Sequence, residues 1–111
     1  PADQDGFSDV YLATEAGDAA PGPPQGLAAN SVGSTVTLTW SRPLSGGAVS
    51  SYVVEAGSTS AATDLATIDT QNPLPVFVAA GVGAGTYFVR VRGANAAGVG
   101  PPSNEIIVIV R

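Results

Sequence analysis

Few residues of this chain can do chemistry. It contains nine Asp and Glu residues, four arginines and no His, Cys or Lys. Histidine-based triads, thiol nucleophiles and His/Cys zinc sites are therefore excluded, and a carboxylate pair is the remaining acid–base arrangement. Glu55 and Glu105 form the candidate pair, but both are predicted to point outward from a convex sheet, where no cleft shifts a pKa. We predict that the chain is not an enzyme and uses no cofactor.

The acidic leader at residues 1–20 carries the candidate metal ligands. Around Gly6, three aspartates have the spacing of a calcium loop, since a hard cation needs several oxygen ligands around a tight turn: Asp3, Asp5 and Asp9. An acidic, solvated connector is the preferred interpretation of the same residues, and a short strand over residues 7–12 is a third. Residues 3–12 also resemble the end of a calcium-loop or propeller-type repeat in extracellular bacterial proteins.

Charge is unevenly distributed along the chain, whose formal net charge is -5. Five acids and no base fall in residues 1–20, whereas residues 21–111 carry four acids and four arginines. Without a basic stripe, the phosphate attraction that drives nucleic-acid binding is missing, so we expect no nucleic-acid partner. No apolar run is long enough for membrane insertion. Because the chain opens on Pro1, we expect it to be a fragment of a longer chain, in which a targeting segment can lie upstream.

Alternation with a period of two predicts an all-β fold. Residues 35–40 alternate threonine with Val36, Leu38 and Trp40, which indicates a strand with one face on a core and one in water. Trp40 is the only tryptophan, so we place it at the centre of the core. Seven strands are predicted, which together make a seven-stranded immunoglobulin-like β-sandwich. The first is an edge strand near Leu27, and the other six span residues 34–41, 50–57, 64–69, 76–79, 86–92 and 103–110.

The connections are predicted from turn chemistry. Residues 81–85 are glycine-rich, but a strand follows them at once rather than a helix, which favours a tight corner between sheets over a nucleotide site. Residues 95–98 indicate a hairpin turn. Pro101 and Pro102, which lack an N–H group, are expected to delay the pairing of the last strand.

The same alternation assigns a face to each side chain. The predicted core comprises Trp40, Leu38, Val36, Tyr52, Val54, Tyr87, Val89, Val91, Ile106 and Val108. A possible contact surface, which we term the outer strip, is predicted to point outward on one sheet and comprises Val53, Phe88, Arg90, Arg92, Ile107 and Ile109. Two alternatives remain. Strand-forming apolar residues are tolerated at these exposed positions without a function, or the leader covers them with Phe7, Tyr11 or Leu12.

Residues 23–111 resemble a fibronectin type III domain. The shared features are, in order, Pro24 with Leu27, Leu38-Thr39-Trp40 followed by Pro43, Tyr52-Val53-Val54, the stretch GTYFVRVRGANAAG at residues 85–98, and Pro102-Ser103-Asn104-Glu105. The corner before Tyr87 is one residue shorter than the common family form, with Val82 in place of a leucine, and resembles bacterial extracellular members. The resemblance divides the chain into a leader or remnant of a preceding domain at residues 1–20 and a type III domain at residues 21–111.

The resemblance also implies a function. The Tyr87 hydroxyl is expected to return to nearby backbone and fix the corner. The hairpin at residues 95–100 holds no adhesion tripeptide. Family members in secreted bacterial enzymes act as spacers, so we expect a non-catalytic spacer or presenter in a larger secreted or cell-surface protein, with neighbouring domains as partners. The alternative is an adhesion or glycan-binding module, with another protein or a polysaccharide as partner.

Overall fold

The computed structural model describes residues 19–111, which form eight β-strands and no helix. The strands are β1 (Gln25–Val32), β2 (Thr35–Ser41), β3 (Ser51–Gly57), β4 (Ala66–Asp69), β5 (Val76–Ala79), β6 (Gly85–Asn95), β7 (Gly98–Pro102) and β8 (Ile106–Val110). They form two antiparallel sheets, β1-β2-β5 and β4-β3-β6, with β7 and β8 both paired to β6. The predicted all-β sandwich is confirmed.

The eighth strand arises because the last strand of the sandwich is broken in two. β8 pairs with residues 85–89 of β6, and β7 pairs with residues 92–95. Between these pairings, the Val91 amide donates to the hydroxyl of Ser103 at 3.0 Å, and the Ser103 amide donates to the Val91 carbonyl at 2.7 Å. A buried serine side chain therefore replaces a backbone acceptor where the strand bends.

The expectation that the prolines delay pairing is wrong. Pro102 already lies opposite Arg92, and pairing of β7 begins at Gly98, directly after the hairpin turn. β7 lies at the edge of the sheet, where a strand has no further neighbour. Proline is tolerated there because its missing N–H group need not be part of a ladder.

The core lies between the sheets, as the alternation requires. Its buried residues are Leu27, Val36, Leu38, Trp40, Tyr52, Val54, Val89, Val91, Val108 and Val110. Two of the predicted core residues, Tyr87 and Ile106, are only half-buried and pack on its margin. At the centre, the rings of Trp40 and Tyr52 meet edge to face, with centroids 5.1 Å apart and planes at 74°. Such contacts between aromatic rings add to the free energy gained from burial.

Where the chain enters the domain, it packs closely against three glycines. Pro21 is fully buried, pairs with Gly46, and lies against Gly93 and Gly100. A methyl group at Gly100 would overlap the Pro21 carbonyl oxygen, so the close approach requires glycine there. Residue 19 is held as well, because Asn95 Nδ2 donates to the Ala19 carbonyl at 2.7 Å.

The two ends of the described chain lie at opposite ends of β6. Ala19 is bound to Asn95, the last residue of that strand, whereas Val110 pairs with Gly85, the first. β6 has eleven residues and is the longest strand. At about 3.3 Å per residue, entry and exit are separated by roughly 35 Å.

Candidate functional site

The outer strip lies on the outward face of the sheet that contains β3, β6 and β8. In the register of the strands, Val53 lies opposite Arg92, and Phe88 lies opposite Ile107. Ile107 and Ile109 are 61% and 52% exposed. The other four residues of the strip are half-buried, which leaves the two isoleucines as its accessible apolar part.

The two arginines of the strip are held by Glu55. Arg90 Nε and Arg92 Nε both contact Glu55 Oε1, at 2.7 and 3.1 Å, and Arg92 Nη1 also donates to the Gly100 carbonyl at 3.1 Å. Burial of Glu55 opposes its ionisation, but the hydrogen bonds and charges of the two arginines outweigh that effect and lower its pKa. These charges are therefore paired within the domain rather than displayed to a partner.

A loop at residues 58–65 folds back over the outward face of the same sheet. Gly57, at an outward position of β3, lies directly beneath the Ala62 carbonyl, where no side chain would fit. The tip of the loop is bound by Glu105, which accepts from the Ser60 hydroxyl at 2.6 Å and from the Ala61 amide at 2.7 Å. These two bonds lower the pKa of Glu105. The sequence analysis assigns this segment no role, although a glycine inside a strand, here Gly57, signals the close approach of another backbone.

The carboxylate pair considered for catalysis is not a pair in the structure. Glu55 is engaged by two arginines, and Glu105 is engaged by the loop tip. The calcium candidates Asp3, Asp5 and Asp9 lie outside the described residues, as do Phe7, Tyr11 and Leu12. Within residues 19–111, no group of three or more acidic side chains is arranged to hold a metal ion.

The corner before β6 is fixed as the tyrosine suggests. Tyr87 donates its hydroxyl proton to the Gly83 carbonyl at 2.6 Å. The Val82 amide donates to the Ser34 carbonyl at 2.9 Å, which ties the corner to the β1–β2 turn, and Val82 packs against the core. The glycine-rich residues thus form a connection between the sheets and lead directly into β6.

A cleft that sequence reasoning missed lies at the end where the chain enters. We term it the loop-end cleft; it has a volume of about 460 Å³ and is lined by Arg42, Pro43, Leu44, Ser45, Gly46, Gly47, Ala48, Val49, Tyr52 and Pro73. Among residues 19–111, Arg42 is the one charged residue that lines it. The cleft brings together the β2–β3 loop, one residue of β3 and one proline of the β4–β5 connection, and no sequence pattern indicates this assembly.

Tyr52 at this cleft has a hydroxyl group without a hydrogen-bond partner. The residue is fully buried, and neither Tyr52 Oη nor the neighbouring Trp40 Nε1 makes a hydrogen bond within the described part of the chain. Burial raises the pKa of Tyr52, opposed by the nearby Trp40 indole N–H and by the positive charge of Arg42. The arginine, the phenol and the indole are therefore close enough to influence one another.

A second apolar side, also unexpected, lies at the free edges of β4 and β5. Five large apolar side chains there are between 37% and 57% exposed: Leu65, Ile68, Leu74, Val76 and Val78. Exposed apolar surface is thus not restricted to the outer strip. In the described residues the structure also holds no helix with the length and apolar character needed to cross a membrane.

Comparison with known proteins identifies the family. The family model described as "Fibronectin type III domain" matches residues 22–109. Comparison with curated proteins gives no match. An Fn3-like protein from Clostridium thermocellum is similar in structure, with a TM-score of 0.66, 28% identity, and coverage of 82% of this chain and 94% of that one.

Two multidomain structures are similar as well. Domains A168–A170 of titin match with a TM-score of 0.65 and 29% identity, over 81% of this chain and 32% of that one. The FN1–FN3 domains of chicken CNTN1 match with a TM-score of 0.70 and 21% identity, over 85% of this chain and 33% of that one. The chain therefore spans about a third of these two solved chains. The fold is generally a non-catalytic module, typical of extracellular and surface proteins. The resemblance noted in the sequence is confirmed: the chain belongs to the fibronectin type III family.

Proposed function

We propose that this domain is a non-catalytic spacer that sets the distance between its neighbours in a larger exported bacterial protein. The observation that carries this proposal is the placement of the chain ends. Ala19 lies beside the last residue of β6 and Val110 beside the first, so the domain adds roughly 35 Å between the parts of the protein on either side of it. A domain whose ends lay side by side would add almost no length.

The comparisons are consistent with such a role. The titin and CNTN1 structures each hold several consecutive domains, and this chain matches about a third of each. The Clostridium protein shows that the fold also occurs in bacteria, and the short corner before Tyr87 supports a bacterial source. The carboxylates give no support for catalysis, because Glu55 and Glu105 are bound to other groups and not to each other.

Fluorescence energy transfer between the two ends tests the spacer. The chain contains no cysteine, so Ala19→Cys and Arg111→Cys introduce unique labelling positions. We expect a single distance of roughly 35 Å, plus the reach of the dyes, that stays constant below the thermal unfolding transition. A broad or much shorter distance in the folded protein would exclude the spacer.

We further propose that Ile107 and Ile109 form a contact surface covered by the leader. Ile107 lies opposite Phe88, seven residues before Asn95 and hence about 23 Å from the point where the leader joins. Leu12 lies seven residues before Ala19, so an extended leader reaches about 25 Å. The reach of the leader therefore matches the position of the two isoleucines.

Dye binding tests this contact. Deleting residues 1–18 is expected to increase binding of a hydrophobic dye, and Ile107→Ser with Ile109→Ser is expected to abolish the increase. The matched control is Val76→Ser with Val78→Ser, which removes similarly exposed apolar groups from the other sheet. Equal dye binding by the full and shortened chains, at equal thermal stability, would show that the leader does not cover the strip.

A further inference from the structure

We propose that two copies of this chain pair side by side through the free edge of β5, with the two strands antiparallel and related by a twofold axis at Phe77. This surface is distinct from the outer strip, which lies on the other sheet. The proposal is independent of the spacer role, because the contact runs along the domain and leaves both of its ends free. Pairing would join the sheets β1-β2-β5 of the two copies into one continuous sheet.

The free edge of β5 lacks the features that protect the other edges of the sandwich. An exposed edge strand can pair with a further strand, and proteins prevent this with bulges, prolines, charges or covering groups. β1 is bulged around Leu27, whose backbone is bound by Asn104; β7 carries two prolines; and β4 ends in Asp69. In contrast, β5 contains no proline and no charge, and it pairs with β2 without a bulge. Within the described residues it has no neighbour on its other side.

The backbone of β5 presents hydrogen-bonding groups that match a second copy of the same strand. The Trp40 amide donates to the Pro75 carbonyl, and in an antiparallel ladder the residues that bond one neighbour alternate with those that point away from it. By the register of the two strands, Phe77 bonds β2, whereas the N–H and C=O groups of Val76 and Val78 point to the free edge. A twofold axis at Phe77 sets Val76 opposite Val78 of the second copy. About four hydrogen bonds then join the two strands.

The side chains favour the same arrangement. Val76 and Val78 are exposed on the outward face of β5, and β-branched residues that lie opposite each other stabilise a strand pair. None of the residues of β1, β2 or β5 is charged, so joining two of these sheets brings no like charges together. Self-pairing of β4 would instead place two Asp69 carboxylates in one short ladder, which makes β5 the preferred edge.

The antiparallel arrangement also separates the acidic leaders. Five acids fall in residues 1–20, and the leader joins the domain beside Asn95. In an antiparallel pair, the entry end of one copy lies beside the exit end of the other. The two leaders are then separated by roughly the 35 Å length of the domain, beyond the range over which salt leaves charges unscreened.

The apolar area indicates a weak dimer. The exposed side chains of Leu65, Ile68 and Leu74 lie on the same side of the domain as Val76 and Val78. Together these five residues offer on the order of 400 Å² of apolar surface, comparable to the largest patch on a typical monomer. Two copies bury about twice this area, which is below the roughly 1,200–2,000 Å² of stable interfaces. We therefore expect a Kd of roughly 0.1–1 mM.

Concentration-dependent NMR of the full chain tests the pairing. The translational diffusion coefficient is expected to fall between about 0.01 and 2 mM, as a monomer–dimer equilibrium requires. Over the same range, the amide protons of Val76 and Val78 are expected to exchange more slowly with solvent, whereas the amide of Phe77, which is already bonded to β2, is expected not to change. Salt between about 0.05 and 0.5 M is expected to leave the Kd unchanged, because the paired sheets carry no charge.

Variants assign the association to β5. Val78→Lys places a charge on the paired edge and is expected to raise the Kd at least about tenfold. Val78→Pro is expected to do the same, because it removes an N–H group that points to the free edge and leaves the bonds to β2 in place. Val99→Lys is the matched control, since Val99 is 55% exposed on an edge strand of the other sheet and Val78 is 57% exposed. Thermal unfolding identifies which variants are folded.

Three results would overturn the proposal. One is a diffusion coefficient that stays constant up to about 2 mM. Another is slower exchange or chemical-shift change at Ile107 and Ile109 instead of at Val76 and Val78, which would assign the association to the outer strip. The third is an equal rise of the Kd in Val78→Lys and Val99→Lys, which would show that the added charge acts without regard to its position.

Discussion

The side-chain amide of Asn104 binds both backbone polar groups of Leu27. Its Oδ1 accepts from the Leu27 amide at 2.9 Å, and its Nδ2 donates to the Leu27 carbonyl at 3.1 Å. Leu27 lies where the pairing of β1 with β2 is interrupted, between Gln25 and Ala28. One side chain at the β7–β8 junction therefore replaces a missing strand partner and joins the first strand of one sheet to the last strand of the other.

Replacing this amide is expected to be destabilising. In Asn104→Ala, the amide and carbonyl groups of the buried Leu27 lose their partners, which typically costs about 1–3 kcal/mol of the free energy of unfolding. Chemical denaturation followed by Trp40 fluorescence measures this loss. Asn30→Ala is the matched control, because Asn30 is an exposed asparagine in β1, the strand that contains Leu27. An equal loss of stability in both variants would contradict the role given to Asn104.

Loss of the hydroxyl group is expected to change the stability differently at Tyr52, which is buried, and at Tyr87, which is half-buried. Tyr87→Phe removes the bond to the Gly83 carbonyl and is expected to lower the free energy of unfolding by roughly 0.5–1.5 kcal/mol. Tyr52→Phe removes a hydroxyl without a partner, so it is expected to be neutral or slightly stabilising. Thermal unfolding of the two variants, measured side by side, distinguishes them. A larger loss in Tyr52→Phe would show that its hydroxyl is paired in solution.

The indole at the centre of the core is expected to dominate the stability. Trp40→Ala removes the largest buried ring and is expected to cost about 3–5 kcal/mol, out of a typical total of about 5–15 kcal/mol. Leu44→Ala is the control, since Leu44 is 86% exposed and the change is expected to stay within about 0.5 kcal/mol. A thermal midpoint of Trp40→Ala close to that of the parent protein would contradict the assigned core.

Acid is expected to weaken the domain through Glu55. The pKa of Glu55 is lower in the folded protein than in the unfolded chain: burial opposes this shift, but the bonds from Arg90 and Arg92 outweigh it. Its contribution to stability is therefore present above the unfolded pKa of about 4.3 and is lost as the pH falls through the folded pKa. The thermal midpoint is expected to fall in this range, and less steeply in Glu55→Gln. Parallel pH curves for the two proteins would exclude Glu55 as a source of the dependence.

Local patterns predicted the sandwich because its strands alternate cleanly. In residues 35–40, the apolar side chains that alternate with threonine are the buried ones. The alternation in β3, β6 and β8 likewise places Val54, Val91 and Val108 inside. Val53 and Phe88 are half-buried, and this degree of burial could not be predicted, since it depends on side chains and loops that are distant in sequence.

The unpredicted contacts come from polar groups that act across long separations. Ser103, Asn104 and Glu105 are consecutive, yet they bind Val91, Leu27 and the loop at Ser60 and Ala61. The first contact spans 12 residues and the second spans 77. The family resemblance includes these residues, but their spacing gives no indication of which backbone groups they satisfy. The loop-end cleft was missed for the same reason, because Arg42, Tyr52 and Pro73 come together only in three dimensions.

The positions of the chain ends also determine how the domain bears tension. If neighbouring parts of a protein pull on it, β1 is drawn along its own axis past β2, and β8 is drawn past β6 in the opposite direction. Each ladder is then sheared, so its hydrogen bonds share the force rather than breaking one after another as in peeling. Asn104 lies between the two loaded strands, where its amide resists their sliding apart.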